Sequence, residues 1–228
     1  VGYRAGTTIT TASAVTAIGF DAGRSINQGE SNTAIGAYAL YDTSATVNGR
    51  WNTAVGAFSR IAGDGDGGIV LGYNVGGTEG YTTLGKDADD IRAAHGNTSW
   101  ATVSDERVKK DITDSTAGLS VINDLRPRTF KYKNKGDIPE SFDAYEEGST
   151  ETYKNTFTNH GFIAQEVKSV IDNHPELKDG FKMWDIREHS DQQEVGEAAI
   201  IPVLVKAVQE LSAKVEAQQN EIDALKDA

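Results

Sequence analysis

The chain has 228 residues, enough for one large domain or two small ones, and its 38% hydrophobic and 25% charged residues sit near the folded soluble average, which argues against a largely disordered chain. The absence of cysteine excludes disulfides, thiolate catalysis and cysteine-ligated zinc or iron–sulfur centres, and no apolar run of about 18 residues offers a transmembrane helix. With 22 basic against 34 acidic residues the formal net charge is −12, a field that repels duplex DNA and anionic membranes, so neither a nucleic-acid partner nor membrane insertion is expected.

No basic segment followed by an apolar stretch opens the chain, so no secretory signal is expected. Residues 1–103 hold 18 of the 24 glycines, none of the four prolines, 9 acidic and 6 basic residues; residues 104–228 hold 25 acidic and 16 basic. Two physically different units are therefore expected to meet at 103/104.

The first unit repeats. Aligned on glycine, its words are Val1-Gly2-Tyr3, Ala17-Ile18-Gly19-Phe20, Asn32-Thr33-Ala34-Ile35-Gly36, Asn52-Thr53-Ala54-Val55-Gly56, Ile69-Val70-Leu71-Gly72-Tyr73 and Thr83-Leu84-Gly85, with glycines 17, 17, 20, 16 and 13 residues apart. One short β-unit cannot bury its apolar face until a neighbour covers it, so this period predicts a stack. The β-branched residue before each glycine reads as a strand running into a bend where glycine tolerates positive φ or close backbone approach. A thin stack has little interior, so an oligomeric β-stalk is expected, with a lone Gly-rich β-solenoid as the alternative. Asp64-Gly65-Asp66-Gly67-Gly68 reads as a turn rather than a calcium loop, because Val75 stands where an EF-hand needs glutamate. These words resemble those of trimeric adhesin heads and phage tail-fibre shafts.

The second unit reads as α+β. Leu119, Ile122 and Leu125, after candidate caps at Asp114 and Ser115 and before Pro127, predict a short helix. Thr129-Phe130-Lys131-Tyr132 alternates as a strand, residues 134–154 read as a solvated acidic loop insertion, and Gly161-Phe162-Ile163-Ala164 reads as a buried strand feeding a helix from Gln165 to Ile171. Ile201, Val208, Val215 and Ile222 share one heptad position and Leu204, Leu211, Gln218 and Leu225 another, which predicts a coiled coil over 201–228 with Pro202 in its first turn. Gln218 is the single polar seam position; β-branched residues opposite leucine favour two strands, so a trimer rests on other grounds.

At the compositional boundary stands Val103-Ser104-Asp105-Glu106-Arg107-Val108-Lys109-Lys110-Asp111-Ile112. A serine hydroxyl needs a base, and a lysine supplies one if burial disfavours its charged form. Ser104 and Lys109 are five residues apart, which is not one face of a regular helix, so Ser104 must be extended or in a turn before the chain coils back. On its own the segment also fits a capped helix start with a solvated face.

Four blocks carry a resemblance: residues 104–112, Leu125-Arg126-Pro127-Arg128-Thr129-Phe130-Lys131-Tyr132, His160-Gly161-Phe162-Ile163-Ala164-Gln165-Glu166-Val167, and Ile201 through Leu211. Together they resemble the intramolecular chaperone auto-processing domain of phage tail spikes and fibres, the S74 peptidase family typified by endosialidase tail spikes. A similar domain occurs in membrane-bound myelin regulatory transcription factors. The resemblance implies a mixed fold: an N-terminal trimeric Gly-rich β-stalk or β-helix (1–103), then an α+β chaperone domain (104–228) ending in a long coiled-coil helix. It implies the C-terminal fragment of a virion tail fibre, assembled in the host cytoplasm, that forms a homotrimer, partners the upstream part of the same fibre and serves a host-surface receptor. It further implies self-cleavage between Val103 and Ser104 by a Ser-Lys dyad, with Ser104 as nucleophile and Lys109 rather than Lys110 as base. Asp105, His160, Gln165 and Glu166 are implied as supporting residues, and no cofactor or metal is expected; His160, His174 and His189 lack short ligand spacing. Two alternatives stand: a non-cleaving trimeric adhesin or receptor-binding stalk with a C-terminal trimer anchor, and a polysaccharide hydrolase using Asp87, Asp89 and Asp90, for which the repeat is too narrow.

Overall fold

A computed structural model describes residues 2–41, 48–62, 64–178 and 180–227; Val1 of the first repeat word and Ala228 of the expected coiled coil lie outside the described residues. Contacts divide the chain into two compact units, Val1–Lys110 and Asp111–Ala228.

The first unit is a β-solenoid. Its strands are β1 (Thr16–Ile18), β2 (Thr33–Ile35), β3 (Thr53–Val55), β4 (Arg60–Ile61), β5 (Ile69–Tyr73), β6 (Gly76–Gly77), β7 (Tyr81–Lys86) and β8 (Asp89–Ala94). β1, β2, β3, β5 and β7 pair in parallel, one rung on the next, so that Ala17, Ala34, Ala54, Val70 and Thr83 form one column. β8 turns back antiparallel on β7, and β4 and β6 make a second short parallel pair. The glycine words mark the bend after each strand: Gly36 has φ +126°, and a Cβ there would sit 2.6 Å from the carbonyl carbon of Gly56 on the next rung. Glycine is needed because successive rungs touch through backbone at this corner.

Inside the coil sit Ala22, Ile26, Ala34, Ala39, Leu40, Ala54, Ile61, Val70 and Val75. The asparagines that open two of the words are also inside. Asn52 N–H donates to Asn32 Oδ1 at 2.9 Å, Gly68 N–H to Asn52 Oδ1 at 2.8 Å, and each Asn amide donates to a carbonyl, Gly49 and Gly65, at 2.8 Å. Burying these amides is tolerable because each is bonded to backbone on a neighbouring rung. The Asp64–Gly68 segment is a turn whose carboxylates accept from Asn48 N–H at 3.0 Å and Arg50 N–H at 2.6 Å.

The second unit contains α1 (Leu119–Asp124), β9 (Arg128–Phe130), β10 (Asn159–Gly161), α2 (Ala164–Asn173), β11 (Trp184–Arg187), β12 (Gln192–Val195) and α3 (Ile201–Lys226). β9 and β10 pair antiparallel, and so do β11 and β12. Ala117, Val121, Val167, Ile171, Leu177, Met183 and Val203 form its core. The 129–132 strand ends at Phe130, and the strand expected over 161–164 lies earlier, at 159–161. α1 is capped by neither Asp114 nor Ser115: Gly118 holds the cap position, and Glu210 on α3 accepts the Leu119 N–H at 2.9 Å. The acidic segment 134–154 folds back on itself, with Lys135 N–H donating to Glu151 O at 2.7 Å and Tyr153 N–H to Lys133 O at 2.9 Å. α3 buries Val203 and Ala207 against its own unit and leaves Ile201, Leu204, Val208, Leu211, Val215, Ile222 and Leu225 exposed. Among the described residues, no helix is long and apolar enough to cross a membrane.

Candidate functional site

Ser104 and Lys109 meet. Lys109 Nζ donates to Ser104 Oγ at 2.7 Å. The local fold explains how a five-residue separation closes. Asp105 is extended (φ −71°, ψ 134°), a single 3-10 turn spans Glu106–Val108, and Lys109 is extended again (φ −114°, ψ 153°) with its N–H on Glu106 O. One tight turn of about three residues thus returns the lysine to the serine, where an α-helix would have carried it to another face.

Asp105 holds the turn. Its carboxylate accepts the Arg107 N–H at 2.9 Å, which caps the turn, and it also accepts Arg107 Nε at 2.9 Å and Nη2 at 2.5 Å. The Arg107 guanidinium, then the Arg107 N–H, hold the Asp105 carboxyl below its ordinary range, and Asp105 raises Arg107 in return. Ser104 and Lys109 are both exposed in the single chain, so the burial expected to favour a neutral lysine is not supplied there. Three aliphatic side chains of the same segment also face solvent: Val103, Val108 and Ile112 are 62%, 72% and 67% exposed.

His160, Gln165 and Glu166 belong to the second unit. His160 sits on β10 opposite Thr129, and Gln165 lies in the first turn of α2. Both line an open cavity of 760 Å³ whose walls include Phe130, Tyr132, Tyr153 and Phe162. Glu166 is committed elsewhere: it accepts from Arg128 Nε at 2.9 Å and Nη2 at 2.5 Å, with Arg126 at 3.5 Å. The Arg128 hydrogen bonds hold Glu166 below the usual carboxylate range, so it braces β9 against α2 as a fixed anion. His174, whose side chain is 11% exposed, bridges Asp124 at 2.8 Å and Glu176 at 3.1 Å, and His189 meets Asp143 at 3.1 Å. Sequence reasoning missed Arg107; its alternation with Asp105, two residues away, was the available signal.

Residues 104–175 match the family model Peptidase_S74, described as chaperone of endosialidase. The matched segment carries the Ser104–Lys109 contact, β9, β10 and α2, and it supports an S74-type chaperone domain with an intramolecular chaperone role, related to a self-cleaving peptidase family. No curated protein and no solved structure matches the chain.

Proposed function

We propose that residues 104–228 are an intramolecular chaperone that trimerises, brings three upstream chains into register as a phage tail-fibre or tail-spike stalk, and then releases itself by cutting between Val103 and Ser104. The observation that carries this reading is the 2.7 Å contact between Lys109 Nζ and Ser104 Oγ inside the family-matched segment.

The chemistry is an acyl shift followed by hydrolysis. With Lys109 neutral, the Ser104 O–H donates to Nζ and Oγ attacks the carbonyl carbon of Val103. Lys109 takes the hydroxyl proton and returns it to the Ser104 nitrogen as the peptide C–N bond breaks. The resulting Val103–Ser104 ester is hydrolysed by water to a Val103 carboxylate and a new Ser104 amino terminus with its hydroxyl restored. No cofactor enters the scheme. The Asp105–Arg107 pair fixes the turn, which makes the attack effectively unimolecular. Trimerisation through the exposed heptad seam of α3 turns an intermolecular strand search into a local one, because tethered chains meet at an effective concentration near the millimolar range. After cleavage the stalk persists if its unfolding barrier is high.

Electrophoresis of the expressed chain tests this. The 24.4 kDa chain should resolve into pieces of 103 and 125 residues, and Ser104→Ala or Lys109→Ala should leave it whole. The exposure of both dyad side chains favours one second reading, a non-cleaving trimeric adhesin whose C-terminal unit only anchors the trimer and whose stalk meets a host-surface receptor. Wild-type protein that stays intact in a folded trimer selects it.

A further inference from the structure

β8 is the last strand of the solenoid sheet, and the chain returns along its outer edge just before Ser104. Arg92 N–H donates to Ala101 O and Ala101 N–H to Arg92 O, both at 2.8 Å, so these two residues form a hydrogen-bonded antiparallel pair. In such a ladder the hydrogen-bonded pairs recur at every second residue, and the next one along this edge sets Asp90 against Val103, the residue whose carbonyl is attacked. That pair is not closed. Thr102 Oγ1 donates to Asp90 O at 3.0 Å and takes the acceptor that Val103 N–H would use. Among the described residues, Asp90 N–H meets no acceptor on this edge and Val103 O meets no donor. A backbone donor and the scissile carbonyl are thus both unspent, one ladder step beyond a formed pair. This edge and the Ser104–Lys109 contact lie inside the same compact unit, Val1–Lys110.

We infer that the edge of β8 at Asp90 is the substrate strand of the cleavage site: Asp90 N–H is the donor for the oxyanion formed at Val103, and Thr102, tied to Asp90 O, is the positioning residue that brings the carbonyl to it. The inference rests on the self-cleavage reading above and adds the group that receives the negative charge. As Ser104 Oγ bonds to the Val103 carbonyl carbon, the carbonyl π pair moves onto oxygen, and it returns when the C–N bond breaks. Lys109 carries the serine proton, so the oxygen needs a donor of its own. Arg107 in the neighbouring turn already spends its N–H, Nε and Nη2 on Asp105. An N–H fixed in a sheet needs no reorganisation when the charge appears.

Asp90→Pro deletes this N–H at a sheet edge, where a missing donor is tolerated because nothing accepts from it. Refolding of the full chain, followed by time-resolved electrophoresis and by thermal unfolding, should show self-cleavage slowed about a hundredfold or more, the loss expected for one oxyanion donor, with melting close to that of the wild type. Thr102→Val should slow cleavage about tenfold and Thr102→Ser should restore it, again with melting unchanged. Wild-type cleavage rates in Asp90→Pro or Thr102→Val overturn the inference and leave the Ser104–Lys109 reading standing, and so does a Thr102→Ser chain as slow as Thr102→Val. An Asp90→Pro chain that no longer folds shows that the N–H is already spent within the sheet and overturns its assignment. A folded wild-type chain that stays whole overturns both the inference and the self-cleavage reading.

Discussion

Arg107 folds back onto Asp105, giving it three guanidinium contacts at 2.9, 3.1 and 2.5 Å and its own N–H at 2.9 Å, so one carboxylate both caps and clamps the turn between Ser104 and Lys109. Neither residue needs to touch the scissile bond to matter, because the turn decides where Lys109 Nζ points. Loss of the clamp should act on cleavage rather than on folding. Arg107→Ala is expected to slow self-cleavage about tenfold, with Arg107→Lys partly rescuing it, since small misplacements of reacting groups are costly. Time-resolved electrophoresis after refolding measures this; circular dichroism and the oligomeric state should be unchanged.

The corner glycines make a sharper test of the fold. Gly36 has φ +126°, and a Cβ there would press on Gly56 backbone at 2.6 Å, whereas Gly80 has φ +69° with open space around it. Gly80→Ala should cost about 1 kcal/mol, the ordinary penalty for a left-handed residue with a Cβ. Gly36→Ala must also push two rungs apart and should lose several times that, roughly 3 kcal/mol or more. Thermal unfolding followed at the β-sheet band separates the two; equal costs would mean that the rungs do not touch at this corner.

These contrasts also explain what could be read from sequence. The solenoid rungs were legible because each depends on local signals, an aliphatic residue and a glycine, that recur every 13 to 20 residues. The Ser104–Lys109 spacing was legible as a requirement for a non-helical turn, and the structure supplies the 3-10 turn that meets it. The β11–β12 hairpin was not legible, since Trp184–Arg187 and Gln192–Val195 are mostly polar and pair by backbone, with Trp184 and Val195 alone packing on the core. The cap of α1 was hidden for a different reason: its acceptor, Glu210, lies 91 residues away. Nor does composition show which strand residues are buried: Ala34 and Val70 are inside, while Ile18 and Leu71 are left exposed.

His174 ties the end of α1 to the end of α2, through Asp124 at 2.8 Å and Glu176 at 3.1 Å. The Asp124 hydrogen bond leads in raising the His174 pKa above its ordinary value of 6.5, against a smaller opposing effect of burial. A raised folded-state pKa means that the folded protein holds the proton more tightly than the unfolded chain. The stabilisation is therefore complete below about pH 6.5 and is lost as pH rises through the higher folded-state value. Melting temperature should fall as pH rises above about 6.5 in the wild type, and His174→Gln should abolish that step. A wild-type profile that rises with pH over this window would contradict the geometry.

Glu210 and Gly118 form a second link, between the long helix and the short one. Leu119 N–H is an orphan donor at the start of α1, and Glu210 Oε2 satisfies it at 2.9 Å from α3. Gly118 leaves room for that carboxylate: a Cβ there would sit 2.6 Å from Glu210 Oε1 and displace it. Glu210→Ala should cost about 1 kcal/mol, the usual worth of a helix cap. Gly118→Ala should cost a similar amount by pushing the same carboxylate away, so the double variant should lose little more than either single one. Urea denaturation of the four proteins closes the cycle; additive losses would show that the two residues act separately and that α1 is not held by the helix carrying the heptad seam.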